Sequence, residues 1–185
     1  MDAARFAARK TQPGAGHAVI DSRQLSLGTG FLVETAARMA EAGSAATEIQ
    51  TVLKAQSQRT HVFAALDTLE YLKRSGRMNK YLAGFAALLQ IKPILTMSNG
   101  KPGTERARTR ERALKRLVEM LEAVGSLERV AIVHAHALPE RIAELRALAA
   151  HLLPAGEILT EDITPVIGVH IGPGALGFAV VGASE

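Results

Sequence analysis

Three short segments carry the residues able to do chemistry. In Leu69–Met78 (LEYLKRSGRM), Arg77 follows the helix terminator Gly76. An arginine just past a helix end can turn back toward a cleft and offer a forked donor to a carboxylate or phosphate. The same arginine equally suits the surface, where it offsets the helix dipole. In Val166–Leu176 (VIGVHIGPGAL), His170 sits between apolar residues, directly before Ile171-Gly172-Pro173-Gly174. Glycines there let the backbone approach a ligand, the proline stiffens the turn, and the amides can donate to an anion. The alternative is a half-buried histidine satisfied by a backbone carbonyl. The third segment, Ile91–Gly100 (IKPILTMSNG), reads as an extended run closed by a turn signal.

Other candidates point to less. His134 and His136 alternate along a strand and share a face. The residues after them add few ligands, so they read as polar strand-end residues rather than a metal site. The basic run Arg106, Arg108, Arg110, Arg112, Lys115 and Arg116 is expected to open a long helix. Arg108, Arg112 and Arg116 would then share one face. Glu105, Glu111 and Glu119 dilute that field, so a solvated face is expected first, protein docking next and nucleic acid last. No serine stands in a GxSxG context, and GPG is not a dinucleotide fingerprint.

Composition narrows the classes further. The 185 residues are 48% apolar and 22% charged, which suits a packed globular chain. The net charge of +4 is too small for a dedicated DNA coater. With no cysteine there is no disulfide framework, thiolate metal site or cysteine nucleophile, and the expected compartment is the cytoplasm. Aromatic residues make up only 4%, too few for a base-stacking platform. No signal peptide is visible at the start. The uncharged stretch Ile163–Ser184 holds two prolines and five glycines, so it reads as a short buried element, a loop and a core strand rather than a membrane span.

Strand and helix patterns alternate, which makes the fold class α/β. Strands are expected at His17–Asp21, Thr60–Leu66, Ile91–Met97, Arg129–Ala135, Glu157–Thr160 and Gly174–Gly182. Helices are expected at Leu27–Ala42, from a Ser44 cap to Gln58, over LEYLKRSG, at Lys80–Leu89, at Arg108–Val124 and at Pro139–Leu152. A boundary is expected near Arg59. The front portion, with one strand, looks incomplete on its own.

Taken in order, VIDSRQLSLGTGFLV, LEYLKRSGRM, LLQIKPILTMSNGK, RARTRERAL and VIGVHIGPGALG resemble the DegV family of bacterial fatty-acid-binding proteins. The best understood members of that family are the FakB subunits of fatty acid kinase. The resemblance implies a two-lobed α/β fold with a long-chain fatty acid held between and within the lobes. Residues 1–59 would be a remnant of the N-terminal lobe and residues 60–185 the C-terminal lipid-binding lobe. It implies that Arg77 and His170 hold the carboxylate, with Gly172, Pro173 and Gly174 as the head-group loop. Arg106, Arg108 and Arg110 would face the kinase catalytic subunit, which phosphorylates the presented carboxylate to an acyl phosphate. On this reading the chain is a carrier and not an enzyme, with neither cofactor nor metal. It reads as a member lacking most of its first lobe, so its exposed cleft would favour dimerisation or lipid scavenging. Two positions depart from the family pattern: Ser75 stands for a glycine and Ile171 for a threonine.

The tail would supply most of the affinity, at about 0.8 kcal/mol per buried methylene, against roughly 1.5–3 kcal/mol for a charge-assisted hydrogen bond. Expected wall residues are Phe63, Leu66, Leu82, Phe85, Leu88 and Leu89, with Ile94, Ile132, Val166, Ile167 and Leu176. Two other readings stay open. One is a small-anion enzyme using His170 as general base. The other is a nucleic-acid regulator using the arginine face.

Overall fold

The computed structural model describes residues 18–76 and 91–184. Arg77 and the helix expected at Lys80–Leu89 lie outside the described residues.

An irregular segment, residues 18–25, leads into α1 (Ser26–Glu41) and α2 (Ala46–Gln58). Then follow β1 (Thr60–Ala65), α3 (Glu70–Arg74), β2 (Lys92–Ser98), β3 (Lys101–Ala107) and α4 (Arg110–Ala123). The chain continues through β4 (Leu127–His134), α5 (Pro139–Ala149), β5 (Leu159–Asp162), α6 (Pro165–Ile171) and β6 (Leu176–Gly182).

The strands form one mixed sheet in the order β3-β2-β1-β6-β4-β5. Only β4 and β5 run parallel; every other pairing is antiparallel. Helices cover both faces, so the central strands are apolar on both sides and read as unbroken hydrophobic runs. On one face α4 and α5 bury Leu114, Leu117, Leu145 and Ala149 against Phe63, Ile94, Ile132 and Phe178. The rings of Phe63 and Phe178 meet edge to face, with centroids 5.9 Å apart. On the other face Phe31 of α1 packs on Val62, Ala131, Ala179 and Val181. Beside it, Leu72 of α3 joins Leu66, Ala135 and Ala175.

Local chemistry sets the ends of these elements. Asn99 and Gly100 both have positive φ, 47° and 74°, the primed-turn conformation that a two-residue hairpin requires. Thr109 caps α4, its hydroxyl accepting from the Arg112 amide at 3.2 Å. Pro139 occupies the first turn of α5. The hairpin tip also holds the leading segment: Gly100 N–H donates to the Arg23 carbonyl at 2.9 Å, and Arg23 Nη1 donates to Asn99 Oδ1 at 2.8 Å.

Several expectations are corrected. Residues 18–21 form no strand. The N-cap of α2 is Ala45, not Ser44, and no side chain bonds there. The basic run opens the helix only from Arg110 onward, because Arg106 lies in β3 and Arg108 precedes the cap of α4. β3 itself was not expected. Residues 165–171, read as buried, form a helix whose Val166 and Val169 are 76% and 59% exposed. Among the described residues, no helix is long and apolar enough to cross a membrane.

Candidate functional site

The α6 face of the sheet is not fully covered. Between the start of α1, the strands β1 and β2, and the helices α3 and α6 lies an apolar cavity of about 180 Å³. Strand parity decides its floor. Val62 and Ala64 point into it from β1, while Phe63 and Ala65 point into the opposite core. From β2, Leu95 and Met97 lie beside them, paired in register with Ala64 and Val62. Leu66 and Leu72 close one side and Leu25 another.

His170 is in the wall of this cavity, flanked by Ile167 and Ile171. Ile167 lies three and four residues before His170 and Ile171, so it shares a face of α6 with both. Val166 and Val169 take the outward face. Ile171, at the position where the resemblance has threonine, adds apolar surface to the wall.

The turn after His170 is built differently from the anion cradle expected of Gly172, Pro173 and Gly174. The Gly172 amide donates to the Gly168 carbonyl at 2.8 Å and the Gly174 amide to the Ala135 carbonyl at 2.6 Å. Both amides are therefore used within the chain. Both glycines have positive φ, 77° and 80°. A Cβ on Gly172 would lie 2.3 Å from the Tyr71 ring, and one on Gly174 would lie 2.3 Å from Asp67 Oδ2. What approaches these glycines is the α3 segment of the same chain.

Asp67 is held in turn by Arg141, a buried residue in the first turn of α5. Its two terminal nitrogens donate to the two carboxylate oxygens at 2.8 and 3.3 Å. Arg141 Nη1 also donates to the Gly174 carbonyl at 3.3 Å. Lys92 and Arg110 approach Asp67 at 3.7 and 3.9 Å. Sequence reasoning did not single out Arg141. The signal available was an arginine among the apolar positions of α5.

Of the expected wall residues, Leu66 and Ile167 line the cavity. Phe63, Ile94, Ile132 and Leu176 belong to the core on the other face, and Val166 faces outward. Leu82, Phe85, Leu88 and Leu89 lie outside the described residues. Arg106, Arg108 and Arg110 are all exposed, but they sit on a strand, a connection and a helix start.

The shared arginine face is not available as a row of free cations. Arg116 donates to Glu105 at 2.7 and 3.1 Å and to Glu119 at 2.9 Å, which holds its guanidinium firmly charged and neutralised. His136 and Asp162 are in side-chain contact just past the end of β4, the His136 amide donates to Asp162 Oδ1 at 3.1 Å, and His134 Nδ1 lies 3.9 Å from Asp162. Partial burial pulls the Asp162 carboxyl upward, but the His136 amide and imidazole together pull it further down. Among the described residues, no three metal-ligating side chains form a cation site.

This geometry has close counterparts. A DegV domain-containing protein of Streptomyces coelicolor is 32% identical over 182 residues, covering 97% of this chain and 64% of its own length. The fatty acid binding DegV family protein of Streptococcus agalactiae superposes with a TM-score of 0.84 at 26% identity, over 99% of this chain and 65% of that one. DegV of Bacillus subtilis, described as a fatty acid binding protein, gives 0.79 at 30% identity, over 98% of this chain and 66% of that one. The chain thus spans just under two thirds of the length of these proteins. A model of the family described as "Uncharacterised protein, DegV family" matches residues 1–183, and with the sheet order and the cavity-facing His170 in view, this chain belongs to the DegV family.

Proposed function

We propose that this chain binds a long-chain fatty acid, with the acyl tail against the cavity floor of Val62, Ala64, Leu95 and Met97 and the carboxylate at His170 and Arg77. The observation that carries the reading is the apolar cavity with His170 in its wall. Burial of the tail would contribute about 0.8 kcal/mol per methylene, so the tail sets affinity and the polar groups set orientation. In this reading residues 1–59 form part of an N-terminal lobe and residues 60–185 the lipid-binding lobe. The Gly172–Gly174 turn supports the head-group site from behind.

The bound acid is then presented to a kinase subunit that docks on Arg106, Arg108 and Arg110. There a carboxylate oxygen forms a bond to the terminal phosphorus of a nucleoside triphosphate held by the partner. The bond from that phosphorus to the bridging oxygen breaks, and a diphosphate and an acyl phosphate result. The carrier supplies position and contributes no group to that bond exchange.

Mass spectrometry of gently purified protein tests the first step. A stoichiometric long-chain fatty acid is expected, and H170A and R77A should each lower its occupancy. Protein that takes up no fatty acid from a panel of saturated and unsaturated chains overturns the reading. Unchanged occupancy in R77A would remove Arg77 from the site.

A further inference from the structure

We propose that Asp67 and Arg141 are positioning residues for His170. Their ion pair pins the Gly172–Gly174 turn and so sets where the last turn of α6 holds the imidazole at the cavity. The inference rests on the fatty-acid reading only for what His170 binds. The placement of His170 stands on the contacts themselves.

The turn is gripped from two sides. From the sheet, the Ala135 carbonyl accepts from the Gly174 amide at 2.6 Å, and the Ala175 carbonyl accepts from the Ala135 amide at 2.9 Å. From the helices, Arg141 Nη1 reaches the Gly174 carbonyl at 3.3 Å while its fork holds Asp67. Asp67 in turn occupies the space a side chain at residue 174 would need, and Tyr71 fills the corresponding space at residue 172. Asp67 and Tyr71 belong to one short stretch, so the α3 segment docks on the turn at two points. His170 lies two residues before the first of them.

Arg141 is only 8% exposed, and its Nε has no hydrogen-bond partner. A guanidinium buried that deeply is costly unless paired, and the apolar alternative is often at least as stable. What the pair adds over an apolar contact is direction: a planar fork fixes both the distance and the angle of the carboxylate it holds. The group so fixed is the one in contact with the turn that follows His170.

Histidine-ring NMR spectra of the whole chain test this, with the His170 signals assigned by their loss in H170N and His61 as internal reference. In D67N and in R141K the His170 ring signals should move while those of His61 stay. Affinity for a fluorescent long-chain fatty acid should fall roughly tenfold. G174A puts a methyl against Asp67 while keeping both charges, and it should displace the same signals even where D67N is too unstable to study. Folded D67N, R141K or G174A whose His170 signals coincide with the unaltered chain overturns the proposal. An unaltered chain that binds no fatty acid removes the lipid reading instead, and the ring signals then decide the positioning role alone.

Discussion

Ala64 and Leu95 face each other in register across β1 and β2, and both look into the cavity. The small side chain opposite the large one leaves the hollow in the middle of the sheet face. Their sequence neighbours Ala65 and Ile94, also paired, are sealed in the opposite core. Two adjacent alanines thus have different neighbours, an open space and a full one.

Ala64→Leu should therefore fill the cavity. Fatty-acid affinity is expected to fall by roughly tenfold to a hundredfold, the equivalent of about 1–3 kcal/mol of overpacking against the tail, with the unfolding midpoint unchanged or raised. Ala65→Leu should do the reverse, lowering the unfolding free energy by about 1–3 kcal/mol with little direct effect on binding. Paired denaturation and fluorescent-acid titrations check both. The assignment of faces is wrong if the two variants behave alike.

Gly177→Ala should be among the most damaging single methyl additions in the sheet. Its Cβ would lie 2.0 Å from the Phe63 carbonyl oxygen and 2.5 Å from the Ala64 Cα, both backbone atoms that cannot swing aside. A loss of about 3 kcal/mol or more is expected. A urea midpoint like that of the unaltered protein would show that the two strands separate more easily than their pairing implies.

Removing the α4 cap with Thr109→Ala should cost about 0.5–2 kcal/mol. Thr109→Ser should retain most of that stability, because the acceptor oxygen is kept. Equal midpoints for the two variants would exclude a capping contribution.

His61 should make stability depend on pH. Burial holds its imidazole below the ordinary histidine value, while its Nδ1 lies 2.9 Å from Ser98 Oγ. The unfolded chain then takes up a proton near pH 6.5 before the folded one does. Stability is full above that pH and falls as the pH drops from about 6.5 toward the lower folded value. Urea unfolding of the unaltered chain and of H61Q at a series of pH values should show a smaller slope in the variant. Parallel slopes would assign the dependence to other groups.

Much of the fold was legible because the central strands are short apolar runs bounded by glycine, proline and polar residues. His170 was legible as a residue to watch because it stands directly before Gly-Pro-Gly, and the sequence left its role open between ligand contact and a half-buried structural histidine. Face was not legible. In THVFAA both faces are buried, so nothing in the alternation separates Val62 and Ala64 from Phe63 and Ala65. Phe63, Ile94, Ile132 and Leu176 were favoured as walls and turned out to be core. β3 was missed because it is an edge strand made of Lys101, Pro102, Gly103, Thr104, Glu105, Arg106 and Ala107, polar by composition as edges often are. Asn99-Gly100 was its one available sign. The Asp67–Arg141 pairing was beyond reach, since it joins a loop to a helix across the fold; the sequence showed only an arginine in line with the buried Leu145 and Ala149.

The order of the strands also bears on how the protein is made. β6 is the last described strand to leave the ribosome, yet it sits between β1 and β4. Until it arrives, the nascent chain holds two separate sheet fragments with unpaired backbone where the gap will be. The sheet therefore stays divided until β6 has been made, and until then the growing polypeptide presents open strand edges, the stage at which chaperones would have most to do.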